Sequence, residues 1–255
     1  MILAVDIGNT TVSIALMKSL KVFRAWSLDS TLSEFKFNHS LRKMFEFIQK
    51  KYPAIEGGMI CSVVPRLTGR TKNQFKKIFL CPVLVVGKDI HVPIKNNYQP
   101  AKQVGQDRLV GAYAAKCLYK APCVIVDFGT AITFDVINAK GEYEGGMIVP
   151  GIRLSIESLF SKTALLPRLE KIQAPKQLIG KNTKQSILSG IFFGYGAMCS
   201  GLIGLIVKKV KGKSKIVVTG GYTRLMKKFI IHQIDHIDEH LVFKGMALIF
   251  SSIKK

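Results

Sequence analysis

Residues 2–16, ILAVDIGNTTVSIAL, carry an apolar run that delivers Asp6 into a turn of small residues, Gly8-Asn9-Thr10, and then continue as a second β-rich segment. The same grammar returns 121 positions later. Residues 124–137, VIVDFGTAITFDVI, bring Asp127 into Gly129-Thr130-Ala131 and again continue in β-rich sequence. Glycine lets a backbone approach a ligand closely, and the amides and hydroxyls of such a turn can hold phosphate oxygens. An aspartate at the strand end can hold a cation that neutralises those phosphates. One strand ending in Asp-x-Gly is common and usually only a turn. Two related copies point instead to a nucleotide clamped between two related half-molecules.

The rest of the chain fits that frame. At 255 residues, with 48% hydrophobic and 21% charged content, it has the composition of a folded protein with a large core. Asp6 and the turn after it interrupt any apolar signal-peptide core, so none is expected. Five cysteines without a C-x-x-C pair read as reduced thiols in a cytoplasmic protein. The 21 uncharged residues Ile187–Val207 are long enough to cross a bilayer. Gly190, Gly194, Gly196, Gly201 and Gly204 stud them, however, so a buried helix packed against a neighbouring helix, in the core or across a dimer seam, and no membrane, is expected.

The formal net charge of +22 invites a nucleic-acid partner. Only eight of the 38 basic residues are arginine, the side chain favoured for bidentate base recognition. The lysines are scattered, apart from a cluster from Lys208 to Lys215 that reads as a solvated helix end and turn. A lysine-rich surface is therefore expected, and nucleic acid is not.

Periodicity and turn residues sketch a β-hairpin over 2–16 and then 20–28, and a helix over 33–51 with Phe37, Leu41, Met44, Phe45 and Ile48 at helical spacing. A strand Met59–Val63, a helix 68–79 and a strand Val83–Val86 follow, then a polar loop Lys95–Gln103 and a helix from Gly105 to Lys116. The second half restarts at Val124 and runs through a glycine-rich stretch, 141–151. Helices are expected near 152–160 and 183–207, then a strand Lys215–Thr219, a Gly220-Gly221 turn, a helix 222–229 and a last helix near 244–253. Strands followed by helices in both halves predict two α/β lobes, 1–116 and 117–255, with a cleft between them. His232, His236 and His240 recur every fourth residue, but the alternating stretch Ile230–Phe243 reads as a strand with a solvated acidic loop rather than a metal-binding helix.

Taken in order, the motifs are Asp6-Ile7-Gly8-Asn9-Thr10, Ser62-Val63-Val64-Pro65, Gly105-Gln106-Asp107-Arg108 and Asp127-Phe128-Gly129-Thr130-Ala131. They continue with Gly145 to Gly151, Thr163-Ala164-Leu165-Leu166-Pro167, Gly180 to Thr183 and Thr219-Gly220-Gly221. In this set the chain resembles, over nearly its whole length, the type III pantothenate kinases of the sugar kinase/Hsp70/actin superfamily. The resemblance implies two related actin-like (ribonuclease H-like) lobes around a nucleotide. It also implies ATP-dependent phosphorylation of the primary hydroxyl of pantothenate, the first step of coenzyme A synthesis, by a homodimer that needs Mg2+ and a monovalent cation, K+ or NH4+. Two departures stand out: Gln106 takes a position usually small in the family, and Pro100-Ala101-Lys102-Gln103 lacks an acidic residue common there.

Phosphoryl transfer to an alcohol needs a nucleotide clamp, charge neutralisation and an oriented hydroxyl. The stretch Asp6, Ile7, Gly8, Asn9, Thr10, Thr11, Val12 and Ser13 offers amides and hydroxyls for the clamp, and the resemblance implies that this stretch and Thr130 touch ATP. Asp6 would hold magnesium, or merely cap its turn. Asp107 is the expected general base, although an aspartate opening a helix beside an arginine can be only a cap and an ion pair. Arg108 suits the pantothenate carboxylate or that same ion pair. By resemblance Asp127 takes the monovalent cation, and Tyr98, Gly105, Gln106 and Thr183 join Asp107 and Arg108 on the pantothenate side, with Thr183 arriving from the partner subunit. Gly220-Gly221 would approach adenine or ribose. A non-catalytic nucleotide-binding regulator and a kinase for another small alcohol are the alternatives.

Overall fold

The structure is a computed structural model, and it describes residues 1–210, 212–230 and 233–253. The chain divides into two compact units. The first comprises Met1–Ile94, Tyr98–Ala114 and the C-terminal segment from His240, and the second comprises Lys95–Asn97 and Ala115–Glu239.

In the first unit, β1 (Ile2–Ile7), β2 (Thr11–Lys18) and β3 (Lys21–Asp29) form an antiparallel meander. Helix α1 (Glu34–Lys51) follows, then β4 (Gly57–Ser62), α2 (Pro65–Phe79) and β5 (Val83–Val85). The sheet order is β3-β2-β1-β4-β5, with β4 parallel to β1 and β5 parallel to β4. A 3-10 turn at Ala101–Gln103 leads into α3 (Gln106–Tyr119).

Because strand side chains alternate between faces, β1 splits its residues in two. Leu3, Val5 and Ile7 join Val12, Ile14 and Leu16 in a core covered by Phe37, Leu41, Phe45 and Ile48 of α1 and by Leu67, Phe75 and Phe79 of α2. Burial of each of these large side chains stabilises the unit by about 1.5–3 kcal/mol. Ile2, Ala4, Ala15, Met17, Met59 and Cys61 face the other way, against Val110 of α3 and the C-terminal helix.

The second unit repeats the plan. It holds β6 (Cys123–Phe128), β7 (Ala131–Ile137), β8 (Tyr143–Pro150), α4 (Ile152–Lys162), α5 (Thr183–Lys209), β9 (Lys215–Thr219), the short α6 (Thr223–Met226) and β10 (His236–Ile237). Its sheet order, β8-β7-β6-β9-β10, maps strand for strand onto the first, with the same antiparallel and parallel pairings. The echo in the sequence is thus an echo of topology, and the fold class is two related α/β units. The glycine-rich stretch 141–151 is largely β8. Ile152, Ile156, Leu188, Phe192, Cys199 and Ile203 cover one face of this sheet.

The last helix, α7 (Leu241–Ile253), begins three residues earlier than expected and belongs to the first unit. Phe243, Met246, Ile249 and Phe250 pack on the Ala4/Met59/Cys61 face. The units therefore differ from the expected halves 1–116 and 117–255: the chain returns to its first unit to cover a sheet face that α1 and α2 leave bare.

Two local expectations are corrected. Helix α5 is not buried all round. Leu188, Phe192, Gly196, Cys199, Ile203 and Ile206 lie in the core, while Leu205 is 65% exposed and the sites of Gly190, Gly194, Gly201 and Gly204 face open space. By length and composition α5 could cross a membrane, yet one stripe of it is committed to this core. The acidic stretch around 235–239 is exposed at Asp235 but pinned rather than free. Asp235 accepts from the Ile216 amide at 2.8 Å, Asp238 is buried and accepts from the Tyr119 hydroxyl at 2.7 Å, and Glu239 accepts from Arg224 at 2.8 Å. These contacts seat the short β10, the counterpart of β5. His232 lies outside the described residues, His236 stacks on Tyr119, and among the described residues no cluster suits a metal ion.

Candidate active site

Strand parity decides which side chains meet in the first unit. Asp6 follows Ile2 and Ala4 on the α3/α7 face, its cross-strand partner is Ser13, and its parallel neighbour is Cys61. Helix α3 runs on that face and carries Asp107 in its first turn. The fully buried Cys61 thiol reports the result: burial pushes its pKa well above the ordinary thiol value, and the charges of Asp6 and Asp107 push it further. Two carboxylates thus bear on one neutral sulfur. Cys61 is a residue the sequence reading missed, since a lone apolar cysteine in a strand carries no signal of what faces it.

The turn after β1 is held by its backbone. The Gly8 amide donates to the Thr11 carbonyl at 3.0 Å, and the Ser30 amide donates to the Thr10 carbonyl at 3.1 Å. Arg66 in turn donates to the Ser30 carbonyl at 2.7 Å. Asn9, Thr10 and Thr11 are exposed at the tip, whereas Ile7 and Val12 bury their side chains completely in the α1/α2 core. Those two positions can therefore offer a ligand only backbone groups. The Ser62-Val63-Val64-Pro65 motif is a support: the Val63 amide donates to the Ile7 carbonyl at 3.0 Å, and the Ser62 hydroxyl accepts from the Val64 amide at 3.1 Å where α2 starts.

Asp107 is half-buried, and desolvation raises its pKa above the ordinary aspartate value. The Arg108 amide donating to Oδ1 at 2.8 Å and the Arg108 charge pull the other way without cancelling the rise. A side chain at Gly105 would stand 2.4 Å from that oxygen, so the glycine is required for the carboxylate to fold back over the start of the helix. Gln106 turns aside and lies against Gly87 in the turn after β5. Tyr98 belongs to the same unit, half-buried, ahead of the 3-10 turn.

In the second unit Asp127 occupies the position of Asp6, with Thr133 and Thr219 as its cross-strand neighbours. The Gly129 amide donates to the Ala131 carbonyl at 3.1 Å, and the Gly151 amide donates to the Thr130 carbonyl at 3.1 Å, so the entry to α4 is tied to the turn. Gly220 has φ +96°, and a Cβ there would stand 2.2 Å from the Asp127 Oδ1. This carboxylate is thus cradled by bare backbone, and the Tyr222 amide closes the arrangement on the Phe128 carbonyl at 3.1 Å. Thr183 stands exposed at the first turn of α5, where Asn182 accepts from the Gln185 amide at 3.0 Å and Gln185 accepts from the Lys181 amide at 2.8 Å.

The structure gathers Asp6, Ser13 and Asp107 on one face of the first unit. It gathers Asp127 with the Thr130 turn in the second unit, which also carries Thr183. Hard carboxylate oxygens at both strand ends suit cations that accompany phosphate, and turns of this geometry suit phosphate oxygens.

The family model described as type III pantothenate kinase matches residues 2–204. A type III pantothenate kinase of Persephonella marina is 42% identical over 254 residues, covering 98% of each chain. One from Sulfurihydrogenibium sp. is 38% identical, covering 96% of this chain and 98% of the relative. Among solved structures, a ROK family glucokinase from Streptomyces griseus in complex with glucose and AMPPNP superimposes with a TM-score of 0.59 at 10% identity, covering 98% and 99% of the two chains. The component A of (R)-2-hydroxyglutaryl-CoA dehydratase from Acidaminococcus fermentans gives 0.56 at 12% identity, covering 100% and 99%. At such identities the likeness is one of fold.

Proposed function

The chain belongs to the type III pantothenate kinase family, and from that premise we propose that Asp107 is the base through which it phosphorylates pantothenate. Its activity is ATP-dependent phosphorylation of pantothenate to 4'-phosphopantothenate in coenzyme A biosynthesis. The single observation that carries the assignment of the base is the desolvated Asp107 carboxylate on the same face as Asp6.

In this scheme Asp107 accepts the proton of the primary hydroxyl as its oxygen bonds to the γ-phosphorus and ADP departs. A carboxylate held against the hydroxyl also orients it, and a loose transition state asks little basicity of it. Arg108 holds the pantothenate carboxylate, while Tyr98, Gly105 and Gln106 shape the rest of that subsite. The turn Asp6–Ser13 and Thr130 hold ATP, through backbone alone at Ile7 and Val12. Asp6 is the residue suited to a divalent ion, Mg2+, which spreads phosphate charge when bound. Asp127 is suited to K+ or NH4+, which would supply positive charge toward phosphate when bound.

A homodimer accounts for the bare face of α5. An exposed Leu205 and the sites of Gly190, Gly194, Gly201 and Gly204 facing open space leave that face without a cover inside the chain, and exposed apolar faces mark protein interfaces. Thr183 begins that helix and would reach the partner's pantothenate. All five cysteines are free thiols, in keeping with a cytoplasmic enzyme.

A coupled assay tests this reading. ADP release should require pantothenate and fall steeply when K+ is replaced by Na+. ADP release that ignores pantothenate would favour a regulator or a kinase for another alcohol.

A further inference from the structure

The segment leading to Tyr98 is gripped by a carboxylate network that phosphoryl transfer itself does not use. Glu142 sits just ahead of β8. Its Oε1 accepts from the Lys95 Nζ at 2.8 Å, and its Oε2 accepts from the Asn97 Nδ2 at 3.0 Å and the Asn138 Nδ2 at 3.2 Å. Glu144 adds a second hold, accepting from the Asn97 Nδ2 at 3.1 Å and from the Asn138 Nδ2.

The backbone repeats the grip. The Tyr143 amide donates to the Lys95 carbonyl at 2.8 Å, the Asn97 amide donates to the Tyr143 carbonyl at 2.9 Å, and Asn96 bridges to Tyr143. The anchor is itself fixed. Asn138 Oδ1 accepts from the Glu142 amide at 3.0 Å and the Lys140 amide at 2.9 Å, while the fully buried Tyr143 donates its hydroxyl to Asp135 at 2.7 Å. Three side-chain donors pull the Glu142 carboxyl down to about 2, so the grip keeps its charge at every pH of enzymatic interest.

Tyr98 is the next residue after Asn97, and only nine positions separate it from Asp107. We propose that Glu142 is a positioning residue for pantothenate: by clamping Lys95 and Asn97 to the start of β8, it fixes where the chain enters Tyr98. The inference rests on the placement of Tyr98 in the pantothenate subsite proposed above. It assigns a role to a glutamate far along the sequence that touches no reacting atom.

A kinetic cycle with Glu142→Gln and Tyr98→Ala, alone and combined, tests it. Gln keeps the shape but replaces a charge-accepting oxygen with an amide donor aimed at other donors. The expected result is a pantothenate KM raised about five- to tenfold in Glu142→Gln, with kcat and the ATP KM changed less than about twofold, the signature of lost ground-state binding. In the Tyr98→Ala background the same substitution should add almost nothing, because one residue acts through the other. Glu142→Asp, which keeps the charge, should recover part of the loss. If Glu142→Gln folds poorly, Lys95→Met loosens the grip from an exposed position and should shift the same KM.

Additive effects, an unchanged pantothenate KM, or equal losses in kcat and the ATP KM would overturn the proposal. If Tyr98→Ala itself leaves the pantothenate KM alone, the Tyr98 placement falls and this inference with it. A wild-type enzyme indifferent to pantothenate would instead overturn the underlying function.

Discussion

Asp107 embodies a conflict between stability and chemistry. Burial raises its pKa, which means that the folded chain prefers the carboxyl neutral more than the unfolded chain does. Where the group is ionised in both states its charge costs stability, and that cost is lost as pH falls from the raised value toward the ordinary aspartate one. Replacing it with the neutral, isosteric Asn removes the cost together with the proposed base. Asp107→Asn should therefore raise the melting temperature at pH 7 while lowering kcat about 10²-fold, the lower end of what a general base contributes. Thermal unfolding and steady-state rates on the same preparation check both. A less stable but fully active variant would show that Asp107 is only a helix-start ion pair with Arg108.

At the scale of elements, α5 makes the sharpest statement. That helix shows one stripe of Leu188, Phe192, Cys199 and Ile203 to its own core and leaves Leu205 bare, the face given above to the proposed homodimer. If the proposed homodimer forms through this face, the wild type should sediment as a dimer and Leu205→Lys as a monomer, with the far-UV spectrum unchanged. Activity should fall with dimer content because Thr183 lies on the same helix. A fully active monomer would refute the role given to Thr183.

The elements also show what the sequence made legible. The meander of β1, β2 and β3, the α1 core stripe and the restart at β6 were readable because apolar period and turn chemistry agreed. Three features were not. Asp235, Asp238 and Glu239 suggested a solvated loop because sequence cannot show that Asp238 accepts from the Tyr119 hydroxyl. The exposure of half of α5 was hidden because glycine and leucine read alike on a packed and an unpacked face. Cys61 gave no sign that it lies beneath two carboxylates.

For the whole molecule, the duplicated topology is the organising fact. Each unit brings an aspartate to the end of its first strand, at a turn of small residues, and the second helix-bearing motif of the first unit adds Asp107. The residues proposed for the site were named from spacing and resemblance. The supports were not, since Glu142 lies 44 residues beyond Tyr98 and only folding brings its partners together.

The most direct test of the central claim is identification of the product by mass spectrometry after incubation with ATP, Mg2+, K+ and pantothenate. Pantothenate should gain one phosphoryl group for each ADP formed in the wild type, and about a hundredfold more slowly in Asp107→Asn. Phosphopantothenate formed at the same rate by both proteins, or by neither, would contradict the account.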